Sequence, residues 1–247
     1  MAEHSDDIVL EITPQVLLKA YACGLFPMAE SAEDAGLFWL EPEHRGILPL
    51  SDFHLPRRLR RTLRADRFEI RISTDFEAVI DGCAGGGPDR PKTWINREIR
   101  RLYGELFDLG YCHTVEAWEN ETLVGGLYGV SLNGAFFGES MFTKATDASK
   151  VCFSHLVARL IAGGYTLLDT QFVTSHLARF GTIEVDRDTY NDELAKALQV
   201  EGDFYALSAE ATGADVLEIV ERHCKGAPQP DLSRPFPEDG DDEDEEA

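Results

Sequence analysis

The amino-acid sequence predicts an α+β fold in which a mixed sheet is flanked by helices. Between His113 and His176, three short strands joined by tight turns precede an apolar helix, and one more strand follows that helix. Strands joined by tight turns pair antiparallel, whereas a strand that returns after a helix can pair parallel to an earlier one. The order of elements suggests a smaller domain before this segment. The chain has 247 residues, 43% of them hydrophobic, which is enough to bury a core.

The elements before this segment are indicated by local signals. A short helix is expected over Pro14 to Ala22, followed by a Gly-Leu-Phe-Pro turn and a strand around Leu37 to Leu40. Asp75 is a suitable N-cap for a helix over Phe76 to Gly82, because its side chain can accept from an unpaired N–H of the first turn. A longer helix is expected over Asn96 to Leu109, ending at a glycine.

The three central strands are defined by alternating apolar residues and by their turns. Val115 to Trp118 is the first strand, and Asn120-Glu121 is the turn after it. Leu123 to Val130 is the second strand. Asn133-Gly134 is a typical two-residue hairpin turn, because both residues tolerate a positive φ. The third strand then runs over Ala135 to Ser140.

A helix and a returning strand follow the hairpins. Asp147 is a plausible N-cap for an apolar helix that continues through Leu160, and Gly163-Gly164 ends this helix. The returning strand is expected over Tyr165 to Asp169. Residues 188–223 are expected to be helical.

The charge of the chain is unusual for a protein that binds nucleic acid, since such proteins are usually basic. The net charge is −22, but the acidic residues are unevenly distributed, with eight in the last ten positions. Together with the Pro-rich stretch before them, they predict a disordered acidic tail over residues 226–247. Conversely, seven arginines fall within the fifteen residues from Arg57 to Arg71.

Several of these arginines share one side of a predicted helix after Pro56. Leu59 and Leu63 are available to dock this helix on the protein. The exposed side would carry four arginines, namely Arg57, Arg58, Arg61 and Arg64. This surface could contact RNA phosphates, or it could pair with carboxylates of the protein itself, and the spacing alone favours neither.

Three polar residues stand near strand ends, where functional groups often lie. They are Glu139, Asp169 and Gln171. A carboxylate in an apolar strand, such as Glu139, is costly to bury without a partner, which is either a substrate ammonium group or a local cation such as Lys150. Neither the histidines nor the five cysteines show a metal-ligand spacing, and no apolar run approaches 18 residues.

Eight sequence strings, taken together, resemble the bacterial leucyl/phenylalanyl-tRNA–protein transferase family. They follow one order over roughly residues 13–195. The central strings are GG-L-YGV, FFGESMF, DASK and LDTQ at 125–130, 136–142, 147–150 and 168–171. The earlier strings are YACGLFPMAE, FWLEPEHRGILPL, FHLPRRLRRTLR and GCA…TWI at 21–30, 38–50, 53–64 and 82–95. Each string is weak alone, but eight in register make the resemblance specific.

The resemblance implies a small N-terminal domain over residues 1–60, a GNAT-like acyltransferase domain over 61–225 and the tail over 226–247. It implies transfer of Leu or Phe, with some tolerance of Met, from aminoacyl-tRNA to the N-terminal amine of proteins that begin with Arg or Lys. That reaction belongs to the N-degron pathway of protein degradation and takes place in the cytoplasm. It needs no cofactor or metal, and we expect a monomer because tRNA and protein must share one open cleft.

The resemblance also implies roles for individual residues. Asp169 and Gln171 are two residues apart, so their side chains would share one face of an extended strand. Asp169 would then hold the amide NH₂ of Gln171, whose amide oxygen would orient the attacking amine, while Glu139 would accept from an ammonium group. Two sets are implied for the donor. The tRNA 3′-adenosine and aminoacyl group would contact Trp39, Trp94, Leu127, Phe136 and Met141. The acceptor-stem phosphates would contact Arg57, Arg58, Arg60, Arg61 and Arg64.

Two other functions stay open at this point. One is an acyltransferase of the same fold with another donor, such as acyl-coenzyme A, although the sequence has no clear Gly-rich pyrophosphate loop of that type. The other is an adaptor that binds tRNA or N-degron proteins without catalysis. The joint presence of Glu139, Asp169 and Gln171 argues against the adaptor.

Overall fold

The computed structural model describes residues 12–34, 36–85 and 93–224. The helices in these ranges are α1 Pro14–Ala22, α2 Arg57–Arg64, α3 Phe76–Ala84, α4 Arg97–Asp108, α5 Ala148–Ala162, α6 Ser175–Ala178, α7 Arg187–Ala197 and α8 Gly213–His223. The strands are β1 Phe26–Met28, β2 Phe38–Leu40, β3 His44–Leu48, β4 Glu69–Ile72, β5 Cys112–Glu119, β6 Thr122–Leu132, β7 Ala135–Thr143, β8 Leu167–Gln171 and β9 Ile183–Asp186.

Seven of these strands form one mixed sheet in the order β4-β5-β6-β7-β8-β3-β9. All neighbours are antiparallel except β7 and β8, which are parallel because α5 crosses between them. Strands β1 and β2 form a separate two-stranded sheet. The predicted fold class, α+β with a small N-terminal part before a mixed sheet flanked by helices, is confirmed.

The core is divided into two clusters. One cluster combines sheet residues with α2, α5 and α8, and α5 is apolar enough to be buried along most of its length. The other combines sheet residues with α1, α3, α4 and α7. Helices on two sides therefore bury the apolar side chains of the strands between them.

Local capping and turn signals place several elements as predicted. The Asp75 side chain accepts from the Ala78 N–H at 3.0 Å at the start of α3, and Asn96 accepts from the Ile99 N–H at 2.8 Å at the start of α4. At the β6–β7 turn, Asn133 has a φ of +53°. Such polar residues compensate the unpaired N–H groups of a helix start or tolerate the left-handed turn region.

The predicted N-cap role of Asp147 is wrong. Asp147 stands at the N-cap position of α5, but its φ is +67° and its side chain accepts no hydrogen bond from a backbone N–H of the first helical turn. Its carboxylate instead lies 3.5 Å from Lys150 Nζ and 3.6 Å from Arg58 Nε. The helical segment predicted at 188–223 is in fact two helices, α7 and α8, separated by residues 198–212.

The predicted domain boundary at residue 60 stays a prediction. Strand β3 precedes it in sequence but is hydrogen-bonded between β8 and β9 in the main sheet. Strand pairing therefore favours a boundary before His44. The predicted acidic tail lies outside the described residues.

Strands β7 and β8 stop pairing part of the way along their length. Their last pair is Phe137 with Asp169, although β7 continues to Thr143 and β8 continues to Gln171. Beyond this pair, β7 remains bonded to β6 and β8 remains bonded to β3. The sheet thus loses its central hydrogen bonds at the position where the predicted polar residues stand.

The described helices contain no segment that is both long and apolar enough to cross a membrane. All five cysteines are free thiols. Cys83, Cys112 and Cys152 are buried, whereas Cys23 is exposed.

Candidate active site

Two β-bulges mark the point where β7 and β8 separate. On β7, Gly138 and Ser140 pair with consecutive residues of β6, which leaves Glu139 without a partner. On β8, Asp169 and Gln171 pair with consecutive residues of β3, which leaves an extra residue between them. A bulge re-aims side chains and is frequent beside active sites. Both bulges act here on the predicted catalytic residues.

Glu139 is the centre of a hydrogen-bonded cluster. Its Oε1 accepts from Tyr21 Oη at 2.6 Å and from Gln171 Nε2 at 3.0 Å, and its Oε2 accepts from Tyr103 Oη at 2.9 Å. The two tyrosine oxygens also lie in contact with each other. Each phenol has a single proton, so when both tyrosines donate to the Glu139 carboxylate, no proton is left for a hydrogen bond between them. Tyr21 and Tyr103 have no accessible surface, while Glu139 keeps part of its own. Glu139 is thus half-buried, whereas the two tyrosines behind it are fully buried.

The electrostatics of this cluster follow from burial. Desolvation raises the pKa of Glu139 to about 7, although its three hydrogen-bond donors act in the opposite direction. Burial, and then the Glu139 carboxylate, raises the pKa of Tyr21 and of Tyr103 well above the usual range for tyrosine. Both phenols therefore remain protonated donors at neutral pH, and Glu139 titrates near the pH at which amines lose their proton.

Asp169 is fully buried and bound to a different set of groups. Arg45 Nη2 donates to its Oδ2 at 2.7 Å, and Arg45 Nε lies 3.1 Å from both of its oxygens. Tyr190 Oη donates to Oδ2 at 2.7 Å, and the backbone N–H of Gln171 donates to Oδ1 at 2.7 Å. These donors account for the acceptor capacity of one carboxylate.

The predicted contact between the Asp169 carboxylate and the side-chain amide of Gln171 is wrong. Asp169 binds the backbone N–H of Gln171, and the side-chain NH₂ of Gln171 donates to Glu139 instead. The bulge between Asp169 and Gln171 changes the direction of the chain, so the two-residue spacing of a regular strand does not apply. The alternative partner for Glu139, Lys150, is bound to Asp147.

The predicted adenosine-binding tryptophans belong to the same side of the core as the two tyrosines. Trp39 on β2 and Trp94 before α4 are both half-buried. They pack against the core cluster that contains Tyr21 and Tyr103. Each therefore keeps an accessible part that a base could contact.

The predicted aminoacyl pocket residues belong to the other core cluster, beside α5. Leu127 and Phe136 are buried at 3% and 0% exposure, whereas Met141 is half-buried. No described contact joins these three residues to Glu139 or Gln171. Their role in binding an aminoacyl side chain stays a prediction, and Met141 is the residue among them that a ligand could reach directly.

The predicted helix after Pro56 forms as α2, but its arginines differ in their contacts. Leu59 and Leu63 are buried and dock α2 on the core. Arg60 is committed to the protein, because it donates to the Leu55 carbonyl at 3.1 Å and pairs with Glu221 at 2.5 Å. Arg58 contacts Asp147 only loosely, at 3.6 Å. Three arginines are exposed and have no ion pair with a described residue, namely Arg57, Arg61 and Arg64.

Sequence reasoning missed four residues that touch the predicted catalytic groups. They are Tyr21, Arg45, Tyr103 and Tyr190. The first two lie inside strings that carry the family resemblance, so a reading of those strings for polar side chains would have found them. The other two lie in helices α4 and α7, where a tyrosine on the buried face is indistinguishable from an ordinary core residue.

Comparison with known proteins identifies the family of this chain. A family model described as leucyl/phenylalanyl-tRNA protein transferase matches residues 47–195, and a model of the N-terminal domain of that transferase matches residues 11–43.

Three relatives carry the name leucyl/phenylalanyl-tRNA–protein transferase. The Afipia carboxidovorans protein is 59% identical, and the match covers 87% of this chain and 96% of the relative. The Rhodopseudomonas palustris protein is 58% identical, with 90% and 100% coverage. The Caulobacter vibrioides protein is 58% identical, with 83% and 94% coverage.

Among solved structures, the C-terminal domain (DUF2156) of a putative lysylphosphatidylglycerol synthetase from Agrobacterium fabrum has a TM-score of 0.34 and 13% identity. That match covers 84% of this chain and 62% of the other, and a score this low does not establish a common fold. The family models span the residues that build the Glu139 and Asp169 clusters except Arg45, which falls between the two matches. The relatives match along nearly their whole length. The chain therefore belongs to the leucyl/phenylalanyl-tRNA–protein transferase family.

Proposed function

We propose that this protein transfers a leucyl or phenylalanyl group from aminoacyl-tRNA to the N-terminal amine of proteins that begin with Arg or Lys. Membership of the family supports the reaction class. The observation that carries the proposal is the 3.0 Å bond from Gln171 Nε2 to Glu139 Oε1 at the place where β7 and β8 stop pairing. This bond fixes the amide of Gln171 beside the carboxylate of Glu139.

The reaction is the aminolysis of an ester. The neutral amine attacks the carbonyl carbon of the aminoacyl ester, a peptide bond forms, and the bond to the 3′-terminal ribose oxygen breaks. The amine loses a proton and the departing ribose oxygen gains one, so the step is balanced without a cofactor. Because the ester is already activated, the site contributes mainly orientation and proximity.

Gln171 and Glu139 have complementary roles in this scheme. With its NH₂ group committed to Glu139, Gln171 presents its amide oxygen as an acceptor for an N–H of the attacking amine, and among the described residues nothing else donates to that oxygen. An amide oxygen is too weakly basic to take a full proton near neutral pH, so Gln171 orients the amine. Water or the departing ribose oxygen is the proton acceptor. The Glu139 carboxylate attracts the positive charge that develops on the nitrogen.

The aminoacyl-tRNA donor would occupy surfaces on both sides of the place where β7 and β8 stop pairing. Trp39 and Trp94 offer aromatic faces for the terminal adenine, since stacking on an aromatic side chain is independent of base identity. Leu127, Phe136 and Met141 are proposed to form the apolar surface for the Leu or Phe side chain. Such a surface discriminates by about 1–3 kcal/mol per methylene group, so Met-tRNA is an expected minor donor.

The acceptor stem would lie along α2. Arg57, Arg61 and Arg64 follow a spacing of four and three, which places them on one side of the helix. Their freedom from internal ion pairs supports a role in phosphate binding. Arg60 is excluded from this set because Glu221 and the Leu55 carbonyl already bind its guanidinium. We further propose a monomer that works in the cytoplasm, where aminoacyl-tRNA and degradation substrates occur together.

The test is transfer of radiolabelled leucine from Leu-tRNA to two model proteins, one beginning with Arg and one with Ala. We expect label on the Arg protein alone. Gln171→Ala is expected to reduce transfer by about 10²-fold while the protein remains folded. Gln199→Ala, which changes an exposed glutamine after α7, is the matched control and is expected to retain full activity.

Two results would contradict the proposal. The first is the absence of label on both acceptors with folded protein and intact Leu-tRNA, which would direct attention to other donors or to binding without chemistry. The second is equal transfer by Gln171→Ala and Gln199→Ala, which would show that the reaction does not depend on this site.

A further inference from the structure

The buried ion pair between Arg45 and Asp169 stands directly behind the proposed active site. Arg45 is 1% exposed and Asp169 is 0% exposed, so neither residue can touch a substrate. Their charged groups meet in a two-pronged arrangement, with Nη2 to Oδ2 at 2.7 Å and Nε to Oδ1 at 3.1 Å. Burying two charges is costly unless their geometry is good, and replacement by apolar residues is often neutral for stability. A purely structural role therefore does not by itself explain this pair.

The guanidinium of Arg45 is fixed on every side. Its third nitrogen, Nη1, donates to the Gly24 carbonyl at 3.1 Å. Its carbon Cζ lies 4.4 Å from the ring centre of Phe26 and 4.7 Å from the ring centre of Tyr190. Such cation–π contacts restrict the plane of the guanidinium group. Arg45 therefore holds the Asp169 carboxylate in one orientation.

That orientation matters for Gln171. Gln171 has a φ of +62°, a left-handed conformation that is unusual for a residue other than Gly, Asn or Asp. The Asp169 Oδ1 atom accepts from the Gln171 N–H at 2.7 Å in this conformation. Without that bond the backbone would relax towards the extended region, and the side chain of Gln171 would turn away from Glu139.

We propose that Arg45 and Tyr190 are positioning residues for the transfer reaction, because together they fix Asp169, and Asp169 fixes the left-handed backbone of Gln171. In this arrangement Asp169 is an anchor and takes no proton from the reaction. Its oxygens are occupied by Arg45, Tyr190 and the Gln171 N–H. This inference rests on the function proposed above, and it identifies what holds Gln171 in place.

The test compares kcat and KM of Arg45→Gln and Tyr190→Phe with those of the wild type. Arg45→Gln removes the charge and the two-pronged contact, and kcat is expected to fall by about 10²-fold. Tyr190→Phe removes a single hydrogen bond, and kcat is expected to fall by about tenfold. In both variants KM for Leu-tRNA and for the acceptor is expected to stay within about threefold, because neither residue touches a substrate.

A second readout separates positioning from general destabilisation. Arg45→Ala leaves a cavity between the Phe26 and Tyr190 rings, and added guanidinium at millimolar concentration is expected to restore part of kcat. The matched control is Arg159→Gln. Arg159 is also 1% exposed, but its guanidinium binds the carbonyls of Phe204, Leu207 and Ser208. This control is expected to reduce stability without a change in kcat per folded molecule.

The outcomes are distinct. Wild-type kcat in folded Arg45→Gln and Tyr190→Phe would overturn the inference while leaving the proposed function intact. A fall in kcat that merely follows the loss of folded protein, as in Arg159→Gln, would also overturn it. If Arg45→Gln does not fold, Tyr190→Phe decides, because a buried Phe can replace Tyr with little change of volume. No transfer by the wild type would instead refute the proposed function itself.

Discussion

Glu139 shows how one side chain can serve both structure and chemistry. Three donors stabilise its carboxylate, and burial still raises its pKa to about 7. An isolated carboxyl group in water has a pKa near 4.3. The cost of holding this residue in its ionised form is therefore expected to be measurable in the stability of the protein.

We predict that the free energy of unfolding depends on pH through Glu139. Between the unfolded and the folded pKa of Glu139, the folded state binds more protons, so the free energy of unfolding falls as pH rises through this range. Glu139→Gln removes the titration. The free energy of unfolding of this variant, relative to wild type, is therefore expected to rise by about 2 kcal/mol between about pH 5.5 and pH 8.

Urea unfolding at several pH values measures this difference. The variant also loses hydrogen bonds, which changes its stability by an amount that is nearly independent of pH. Parallel curves for wild type and variant would show that the pKa of Glu139 is not raised by folding.

Among the structural elements, β3 closely approaches the backbone that leaves the end of β8 near the site. A Cβ added at Gly46 of β3 would lie 2.7 Å from the carbonyl carbon of Phe172, the residue that follows Gln171. Backbone atoms cannot yield as a flexible side chain can. Gly46 is therefore required by the geometry of the neighbouring strand end.

We predict that Gly46→Ala destabilises the protein by about 1–3 kcal/mol and also lowers transfer activity, because the shift reaches Gln171. The control is Gly104→Ala in the middle of α4, where the nearest atom to an added Cβ is 3.6 Å away. That change is expected to be neutral or stabilising, since alanine favours a helix. Thermal unfolding and the leucine-transfer assay would be measured together, and full activity of Gly46→Ala would refute the prediction.

Helix α2 contains exposed arginines without an ion pair to a described residue and arginines that contact the protein, and we predict that the former bind tRNA phosphates. Replacing Arg57, Arg61 and Arg64 by Ala is expected to weaken tRNA binding and to reduce the slope of log K against log salt concentration by about 2–3, because each lost phosphate contact contributes about 0.7–0.9. Fluorescence titration with tRNA at several salt concentrations gives this slope.

The control variant removes the same number of positive charges from arginines outside α2. Arg67, Arg71 and Arg100 are bound to carboxylates of the protein, namely Glu119, Glu69, Glu121, Glu77 and Asp81. Their replacement by Ala is expected to leave the slope nearly unchanged. Equal slopes for the two triple variants would mean that general charge, and not the α2 surface, determines binding.

At the scale of the whole molecule, the net charge of −22 opposes the approach of a polyanion. Residues 226–247 contain nine acidic residues and one arginine, so their removal changes the net charge to −14. Long-range repulsion of this kind acts at low ionic strength and is screened by salt.

We predict that removal of residues 226–247 tightens tRNA binding by about three- to tenfold at low salt, with the difference vanishing at high salt. A variant in which the acidic residues of this segment become Asn and Gln is expected to behave in the same way. If only the truncation tightens binding, the presence of the segment matters more than its charge. An unchanged Kd in both variants at low salt would refute the prediction.

The accuracy of the sequence predictions followed the range of the interactions involved. Helix α1 and the cap Asp75 were predicted because they depend on residues within one turn, whereas Asn96, expected as the first residue of its helix, is the N-cap. The strand predicted at Tyr165–Asp169 in fact runs over Leu167–Gln171, because pairing with β7 and β3 sets its ends. The place of β3 inside the main sheet was not predicted, since that pairing joins residues more than one hundred positions apart.

The fold class, the family and the three polar residues Glu139, Asp169 and Gln171 could be predicted from the chain, because local patterns and the order of motifs are properties of the sequence. The hydrogen bonds that connect these residues could be read only from the three-dimensional fold. At the two bulges, Gln171 is hydrogen-bonded to Glu139, and Asp169 is hydrogen-bonded to Arg45 and Tyr190. The physical reason is that a hydrogen bond depends on distance and direction in space, and spacing along a regular strand does not describe a strand that is bulged.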